Sequence, residues 1–194
     1  MDKAIRKEGT VLFCDIRHFT SLFERRDPIE AVVFANSVLA RLGNEVEKHN
    51  GTVDRFTGDG FLAHFGILGK HKNHVYDACR SAIAMRNALQ KINNQRYLEQ
   101  QPVLTFGVGI HSGMLAYGKI ETGAFVQRTV MGDVVNTASR VEGLTKYFTV
   151  DILLSNYSYS FVSKEFAFSE MSPQKVKGKN DAKHTYWLLP VNLE

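Results

Sequence analysis

The feature that most constrains the fold is a nearly continuous apolar run at residues 10–14, which ends at Asp15. Short apolar runs of this kind are typical of strands that are buried on both faces. A helix is predicted next, because Asp27 can cap its N-terminus, Pro28 suits its first turn, and apolar residues recur at helical spacing to about residue 50. We expect this helix to pack one face on the sheet, through Val32, Ala35, Leu39, Leu42 and Val46.

A hairpin and a second helix are predicted after the first helix. Two β-prone runs at residues 52–65 flank the sequence Gly-Asp-Gly, and Asp-Gly between such runs is a strong hairpin signal. Asp59 is therefore expected at a tight turn. A long helix is predicted through Ala82, Met85, Leu89 and Ile92, after which Pro102 marks the return to extended structure.

The second half of the chain predicts a glycine-interrupted strand, an extended arm and a further helix. The strand spans residues 103–119, and a second extended segment or arm spans residues 123–130. Asp133 can cap a helix from residue 134 to about 145, with Val134, Ala138 and Val141 facing inward. Short strands at residues 152–154, 166–171 and 185–189 complete the set. This order predicts an α/β (α+β) fold of the ferredoxin-like type, with an antiparallel-rich central sheet flanked by helices.

Composition predicts one domain inside a cell. A chain of 194 residues with 44% hydrophobic and 23% charged content is large enough for one core, and we assign residues 10–194 to it and residues 1–9 to an extension or linker. The net charge of +4 suits a nucleotide partner but singles out none, and no nucleic-acid partner is expected. Cys14 and Cys79 lack metal-type spacing, which favours a reducing, cytoplasmic location. No long apolar segment or signal peptide is found, so no direct membrane insertion is expected.

Two aspartates are candidates for a metal site. Asp15 ends the first strand and Asp59 occupies the hairpin turn, and these two places can be neighbours in a sheet. Magnesium prefers hard oxygen ligands, usually few carboxylates together with substrate phosphates. Either aspartate by itself is also explained by its place at a strand end or in a turn. The two residues therefore indicate a metal site only as a pair.

Polar and basic residues near the C-terminal half could bind phosphates. Asn136 and Arg140 are four residues apart and share one helix face, which a solvated polar stripe would also explain. Lys177 lies in a cation-rich stretch at residues 175–183, for which a basic surface loop is the simpler interpretation. His111 is interpreted as a structural residue, because no partner for general-base work is apparent.

Four segments together resemble the catalytic domain of the class III nucleotidyl cyclases. They are Phe-Cys-Asp-Ile-Arg-His-Phe-Thr at residues 13–20, Arg-Phe-Thr-Gly-Asp-Gly at 55–60, Thr-Val-Met-Gly-Asp-Val-Val-Asn-Thr-Ala-Ser-Arg at 129–140 and Val-Lys-Gly-Lys at 176–179. The resemblance covers roughly residues 10–189. It implies a lyase that converts ATP to 3′,5′-cyclic AMP and pyrophosphate with two Mg²⁺ ions per site, for which Mn²⁺ can substitute.

The resemblance also assigns roles to individual residues. Asp15, Ile16 and Asp59 match the metal-binding positions. Phe19 and Thr20 lie in the segment at residues 16–20, whose backbone N–H groups would face phosphate oxygens. Asn136 would position the ribose and Arg140 would neutralise charge that builds on the α-phosphoryl group. Lys177 matches the lysine that contacts the terminal phosphates.

The base-binding positions fit the family least well. Adenylyl cyclases commonly carry lysine where this chain has Arg55, and aspartate or threonine where it has Thr129; guanylyl cyclases carry glutamate at the position of Arg55. Arg55 can donate to N1 of adenine but cannot accept the N1–H of guanine, which favours ATP. Thr129 matches a threonine-bearing subgroup of bacterial type, some members of which respond to bicarbonate.

The resemblance implies a head-to-tail homodimer with two shared sites, in which the metal aspartates come from one protomer and the base-binding and transition-state residues from the other. Residues 119–128 are a candidate arm toward the partner. An upstream sensor or regulatory domain is expected, in the cytosolic portion of a larger protein that a membrane could anchor. Three alternatives stay open: a guanylate cyclase, a cyclase of relaxed specificity, and a non-catalytic nucleotide-binding or dimerisation module. A diguanylate cyclase is disfavoured, because the hairpin lacks a GG(D/E)EF-type turn.

Overall fold

A computed structural model of the protein describes residues 4–24, 27–69, 73–175 and 182–190. The helices in these ranges are α1 (Phe19–Phe23), α2 (Pro28–Lys48), α3 (His74–Leu98), α4 (Asp133–Phe148) and α5 (Asn156–Val162). The strands are β1 (Ile5–Ile16), β2 (Gly51–Phe56), β3 (Gly60–Phe65), β4 (Phe106–Thr122), β5 (Phe125–Met131), β6 (Ile152–Ser155), β7 (Phe168–Glu170), β8 (Gln174–Lys175), β9 (Ala182–Lys183) and β10 (Thr185–Leu188).

Eight strands form one sheet in the order β2-β3-β1-β4-β6-β10-β7, with β5 paired to β4. All neighbouring pairs are antiparallel except β4 and β6, which run parallel. The first four strands, with α2 after β1 and α3 after β3, have the connectivity of a ferredoxin-like fold. The predicted fold class is therefore confirmed. Strands β8 and β9 form a separate two-stranded sheet.

Helices cover both faces of the sheet. Side chains of α2 and α3 pack on the face that carries Leu12 and Phe61, and α4 packs on the face that carries Val11 and Leu62. Because successive strand residues point to opposite faces, the apolar run of β1 is buried on both sides, as predicted. Helix α4 lies so close to β4 that a Cβ at Gly109 would collide with the α4 backbone. Along the described residues, no helix combines the length and apolarity that a membrane crossing requires.

The ends of two helices differ in detail from the prediction. Asp27 caps α2 as expected, with its carboxylate accepting a hydrogen bond from the backbone N of Ile29 at 2.9 Å. Val32 was predicted to face the core but is 60% exposed, and the buried residues of α2 begin only at Val38. Asp133 is the first residue of α4 and not its cap; Gly132, at φ 133°, occupies the cap position. Strand β1 begins at Ile5, and the predicted boundary at residue 10 stays a prediction.

A chain of side-chain hydrogen bonds crosses the interior between two histidines. Its five links measure 2.7, 2.8, 2.9, 3.2 and 2.7 Å. The four hydroxyl residues are buried, and the predicted structural role of His111 agrees with its place at one end. In order, the chain joins His74, Thr10, Ser112, Ser158, Ser155 and His111.

Candidate active site

The structure brings Asp15 and Asp59 together at one end of the sheet. Asp15 lies next to the end of β1 opposite Gly60, and the backbone N of Ile16 donates to the carbonyl of Asp59 at 2.9 Å. The strands approach so closely here that a Cβ at Gly60 would collide with the carbonyl of Cys14. Burial, the charge of Asp59 and a hydrogen bond between the two carboxyl groups together raise the pKa of Asp15 to about 6, against the lowering effect of the charges of Arg17 and Lys146.

This pair fits a divalent cation. Two carboxyl groups in hydrogen-bond contact repel each other when both are ionised, and a cation removes that repulsion. The side chain of Asp15 is 33% exposed, which leaves it accessible to a metal ion and a phosphate. Ile16, the third predicted metal-binding residue, is held beside the pair by its own backbone bond to Asp59. Class III cyclases in general use divalent metal ions.

Arg17 connects Asp15 to α4, a link that the sequence did not predict. Its Nη1 lies 3.7 Å from Oδ2 of Asp15, its Nη2 lies 3.0 Å from Oε1 of Glu142, and Nη2 also donates to the hydroxyl of Thr145. Burial, together with the charges of Asp15 and Asp59, raises the pKa of Glu142 to about 7, although the charge and the hydrogen bond of Arg17 lower it. The side chains of Arg17, Glu142 and Thr145 have space to meet because β4 carries Gly107 here. A Cβ at Gly107 would collide with all three of them.

The segment after β1 offers fewer phosphate donors than predicted. The backbone N of Ile16 is bonded to Asp59 and that of Arg17 donates to the carbonyl of Thr105 at 2.8 Å, so these two N–H groups are already engaged. Phe19 directs its ring into an aromatic cluster with Phe23 and Phe34, and only its backbone remains a candidate for phosphate binding. Thr20 lies in α1, and its side chain is outside the described part of the structure.

The two predicted base-binding residues meet across the sheet. Nη1 of Arg55 donates to the hydroxyl of Thr129 at 2.5 Å, although the residues are 74 positions apart in sequence. Both also contact Asp54: Nη1 of Arg55 donates to Oδ2 at 2.9 Å, and the hydroxyl of Thr129 donates to the same oxygen at 2.6 Å. The backbone N of Val130 donates to Oδ1 at 3.0 Å. The side chain of Asp54 is fully buried.

A β-bulge in β2 explains how Asp54 reaches this position. Val53 pairs with Ala63 and Arg55 pairs with Leu62, so one extra residue, Asp54, is inserted opposite β3. Bulges redirect side chains, and this one lets Asp54 and the following arginine contact β5 together. Sequence analysis missed Asp54 because it treated β2 as a regular strand.

Asn136 and Arg140 lie on α4 away from the sheet. Asn136 is exposed and Arg140 is partly exposed, whereas Val134, Ala138 and Val141 are buried as predicted. Within the described ranges, neither polar residue makes a hydrogen bond or an ion pair with another side chain. Lys177, the predicted contact to the terminal phosphates, lies outside the described residues.

Fold and site together define a cyclase-type α/β domain with a paired-carboxylate centre. The chain belongs to the adenylate and guanylate cyclase catalytic domain family, whose model matches residues 2–190. It is 36% identical over 190 residues to "Adenylate cyclase" of Anabaena cylindrica, covering 94% of this chain and 37% of the relative. It is 31% identical over 188 residues to "Adenylate cyclase 1" of Rhizobium meliloti (strain 1021), covering 97% of this chain and 28% of the relative. The chain thus spans about a third of the length of these relatives.

Solved structures of both specificities resemble the fold. The guanylyl cyclase Cya2 aligns with a TM-score of 0.86 at 26% identity, covering 95% of this chain and 93% of that structure. The adenylyl cyclase CyaB from P. aeruginosa aligns with a TM-score of 0.83 at 26% identity, covering 96% of each chain. The predicted family is therefore confirmed, and the choice between ATP and GTP has to be argued from the site.

Proposed function

We propose that the protein is an adenylate cyclase domain that converts ATP to 3′,5′-cyclic AMP and pyrophosphate. The observation that carries the proposal is the fixed direction of the Thr129 hydroxyl. Its proton is directed to the carboxylate of Asp54 at 2.6 Å, and the second acceptor within reach, the carbonyl of Val130, is farther away at 3.5 Å. Toward a base that reaches this side chain, which is 2% exposed, the oxygen of Thr129 would therefore accept.

This polarity matches adenine better than guanine. The N6 amino group of adenine donates a hydrogen bond, whereas O6 of guanine at the corresponding place accepts one. An accepting Thr129 therefore favours adenine. Arg55 has further N–H groups beyond the two that Nη1 directs to Asp54 and Thr129, and one of these can donate to N1 of adenine.

The reaction proposed is in-line attack of the ribose 3′-oxygen on the α-phosphorus, with pyrophosphate as the leaving group. Asp15 and Asp59 would hold the divalent ions, with Ile16 beside them. When bound, such ions supply Lewis-acid activation of the 3′-hydroxyl and neutralise charge on the leaving group. Asn136 would orient the ribose, and Arg140 would stabilise charge at the α-phosphoryl group. Lys177 and the backbone of Phe19 and Thr20 would bind the remaining phosphates.

We propose that each site is shared between two chains of a head-to-tail homodimer. Asn136 and Arg140 lie on the side of α4 that faces away from their own sheet, where a second protomer can reach them. The paired ends of β4 and β5 would serve as the arm toward the partner, and they expose apolar side chains that a partner can cover: Ile120 (44%), Phe125 (57%) and Val126 (53%).

A guanylate cyclase is the second candidate, because the free N–H groups of Arg55 can also donate to O6 of guanine. Purified protein incubated with ATP or GTP, and with Mg²⁺ or Mn²⁺, distinguishes the two by the cyclic product. We expect cyclic AMP to dominate, product to be absent with Asp59→Ala, and specific activity to rise with protein concentration in dilute solution. No cyclic nucleotide from either substrate at any protein concentration would leave only the non-catalytic alternative.

Mixing two inactive variants tests the shared sites directly. Asp59→Ala removes a metal ligand and Arg140→Ala removes a transition-state group, so each homodimer should be inactive. In the mixed dimer one site combines the intact Asp59 of one chain with the intact Arg140 of the other. Random pairing of equal amounts then restores about a quarter of wild-type activity. Recovery that stays at the background of the single variants would place both residues in the same protomer's site.

A further inference from the structure

Arg17 lies between the metal-site carboxylate and α4 and is assigned no contact with substrate. We propose that Arg17 is a positioning residue that fixes the side chain of Asp15 and ties it to the inner face of α4. This inference rests on the proposed function, because it assigns Arg17 a task at the same site. It predicts that the arrangement of the Arg17 guanidinium matters more than its charge.

The geometry of Arg17 supports a positioning role. The side chain is 14% exposed, and its guanidinium contacts Asp15 on β1 and both Glu142 and Thr145 on α4. Its backbone is fixed as well, through the bond from its N to the carbonyl of Thr105. A planar fork can satisfy several acceptors in fixed directions, which a single ammonium group cannot do. Asp15 is thereby connected to α4, while a third of its side chain stays exposed.

Strand β4 leaves room for this arrangement of side chains. Gly107 is paired with Asp15 across β1 and β4, and a Cβ there would collide with Nη2 of Arg17, Oγ1 of Thr145 and Oε1 of Glu142. Any other residue at this position would displace the guanidinium or the groups that it contacts. The absence of a side chain at Gly107 is therefore an independent observation for the same role.

The contact between Arg17 and α4 concerns only one of the two faces of this helix. At 3.6 residues per turn, Glu142 and Thr145 project from one side of the helix and Asn136 and Arg140 from the opposite side. The inner side is fixed through Arg17 to the metal site of its own chain. If the sites are shared as proposed, the outer side serves the other site of the dimer, and one rigid helix connects the two.

The main competing explanation predicts the opposite change in metal affinity when Arg17 is removed. If Arg17 acted only through its positive charge, it would repel a metal ion bound at Asp15, and its removal would tighten metal binding. A positioning residue has the reverse effect, since its removal frees Asp15 to adopt unproductive rotamers. Residues that orient metal ligands typically change metal affinity or activity by about 10–100-fold when substituted.

The test compares Arg17→Met and Arg17→Lys with the wild-type chain. Binding of Mn²⁺ is measured by electron paramagnetic resonance in the presence of 3′-deoxy-ATP, which lacks the attacking hydroxyl and cannot be cyclised. Turnover of ATP is measured separately as kcat, as KM and as the half-saturating Mn²⁺ concentration. Arg86→Lys is the matched control, because Arg86 is also 14% exposed and pairs with a carboxylate, that of Asp151.

We expect both Arg17 variants to weaken Mn²⁺ binding and to lower kcat by about tenfold or more, with KM for ATP within about twofold. Arg86→Lys should change neither Mn²⁺ binding nor kcat by more than about twofold. If Arg17→Met does not fold, Arg17→Lys carries the same comparison, and thermal unfolding of each variant identifies a general loss of structure.

The proposal would be overturned by tighter Mn²⁺ binding in Arg17→Met, by normal behaviour of Arg17→Lys, or by an equal loss in Arg86→Lys. A wild-type chain that neither binds Mn²⁺ with the nucleotide nor forms cyclic product would overturn the proposed function, and this inference with it. An active wild type with equally active Arg17 variants would overturn the positioning role alone.

Discussion

Thr129 donates its hydroxyl proton to the buried carboxylate of Asp54 over 2.6 Å. The contact joins β5 to the bulged part of β2. Because the carboxylate only accepts hydrogen bonds, the hydroxyl is the donor in this contact, and the carbonyl of Val130 at 3.5 Å is the more distant alternative acceptor. If Thr129 contacts the base as proposed, the base preference would depend on Asp54, a residue that would not itself touch the base.

Asp54→Asn should reduce the preference for ATP over GTP. The amide can donate as well as accept, so the Thr129 hydroxyl is no longer held in one direction and can turn its proton toward O6 of guanine. Unfolding in urea should show a loss of about 1–3 kcal/mol, since buried donors lose an acceptor. The ratio of kcat/KM for the two nucleotides is the measurement, with Glu47→Gln on the exposed side of α2 as the control. An unchanged ratio would show that Asp54 does not direct the hydroxyl.

Asp59→Asn should stabilise the metal-free protein while abolishing activity. Burial and Asp59 raise the pKa of Asp15 to about 6, above its usual value of 3.8. The folded state thus holds a proton more tightly than the unfolded chain, and metal-free stability falls as the pH rises from about 4 through about 6. The variant should unfold at a higher temperature than wild type in EDTA at pH 7.5, by about 2–4 °C per kcal/mol recovered. The gain should vanish near pH 4, and Glu47→Gln should show none.

Activity should decline as the pH falls through about 6, and added Mg²⁺ should move this midpoint to lower pH. A proton on Asp15 and a metal ion compete for the same oxygens, so the metal form persists further into acid when Mg²⁺ is raised. Rate profiles from pH 5 to 8 at several Mg²⁺ concentrations measure the shift. Glu142→Gln isolates the contribution of Asp15, because the pKa of Glu142 is also raised, to about 7. A midpoint that ignores Mg²⁺ would assign the decline to another group.

Arg86→Ala should destabilise the fold by about 3 kcal/mol at neutral pH. Arg86 donates to both oxygens of Asp151 at 2.5 and 2.8 Å and to the carbonyl of Leu188 at 2.6 Å, which ties α3 to the far end of the sheet. Burial acts to raise the pKa of Asp151, but the hydrogen bonds and charge of Arg86 and a bond from Trp187 outweigh it and leave the pKa lowered.

The lowered pKa of Asp151 determines how the effect of Arg86→Ala on stability changes with pH. The stabilisation by the Arg86–Asp151 pair is complete above about pH 4 and is lost as the pH falls further. The difference in the free energy of unfolding between wild type and Arg86→Ala should therefore become smaller in acid. Urea unfolding at pH 7 and pH 3.5 measures this difference at both pH values. An equal difference at the two pH values would mean that packing of Arg86, and not its pairing with Asp151, supplies the stability.

Local periodicity was enough to predict much of the fold. The buried positions of α4 and the cap at Asp27 depend on residues a few positions apart, and both were found as expected. The proximity of Asp15 and Asp59 was also predictable, because a strand end and an adjacent hairpin turn meet by topology. Val32 was misassigned because periodicity cannot show at which turn a helix begins to be buried, which in α2 is at Val38.

The contacts that surround the candidate site residues could not be predicted in this way. Asp54 reaches Thr129 only because a bulge changes the register of β2, and a bulge depends on the partner strand. Arg17 and Thr145 are 128 positions apart and meet over a glycine whose role is visible only in the folded chain. Tertiary packing determined both, and no local pattern in the sequence indicates either.

The number of available protons restricts the donor and acceptor roles in the hydrogen-bonded chain between His74 and His111. Five links need five protons, and the four hydroxyl groups supply four, so one imidazole must supply the fifth. Ser155 donates to Ser158 and Ser158 to Ser112, which makes Nδ1 of His111 the donor and Nδ1 of His74 the acceptor. Burial already lowers the pKa of His74. A proton added at its Nδ1 would break a link or reverse the whole row, so the tautomers of two histidines on different elements are not independent.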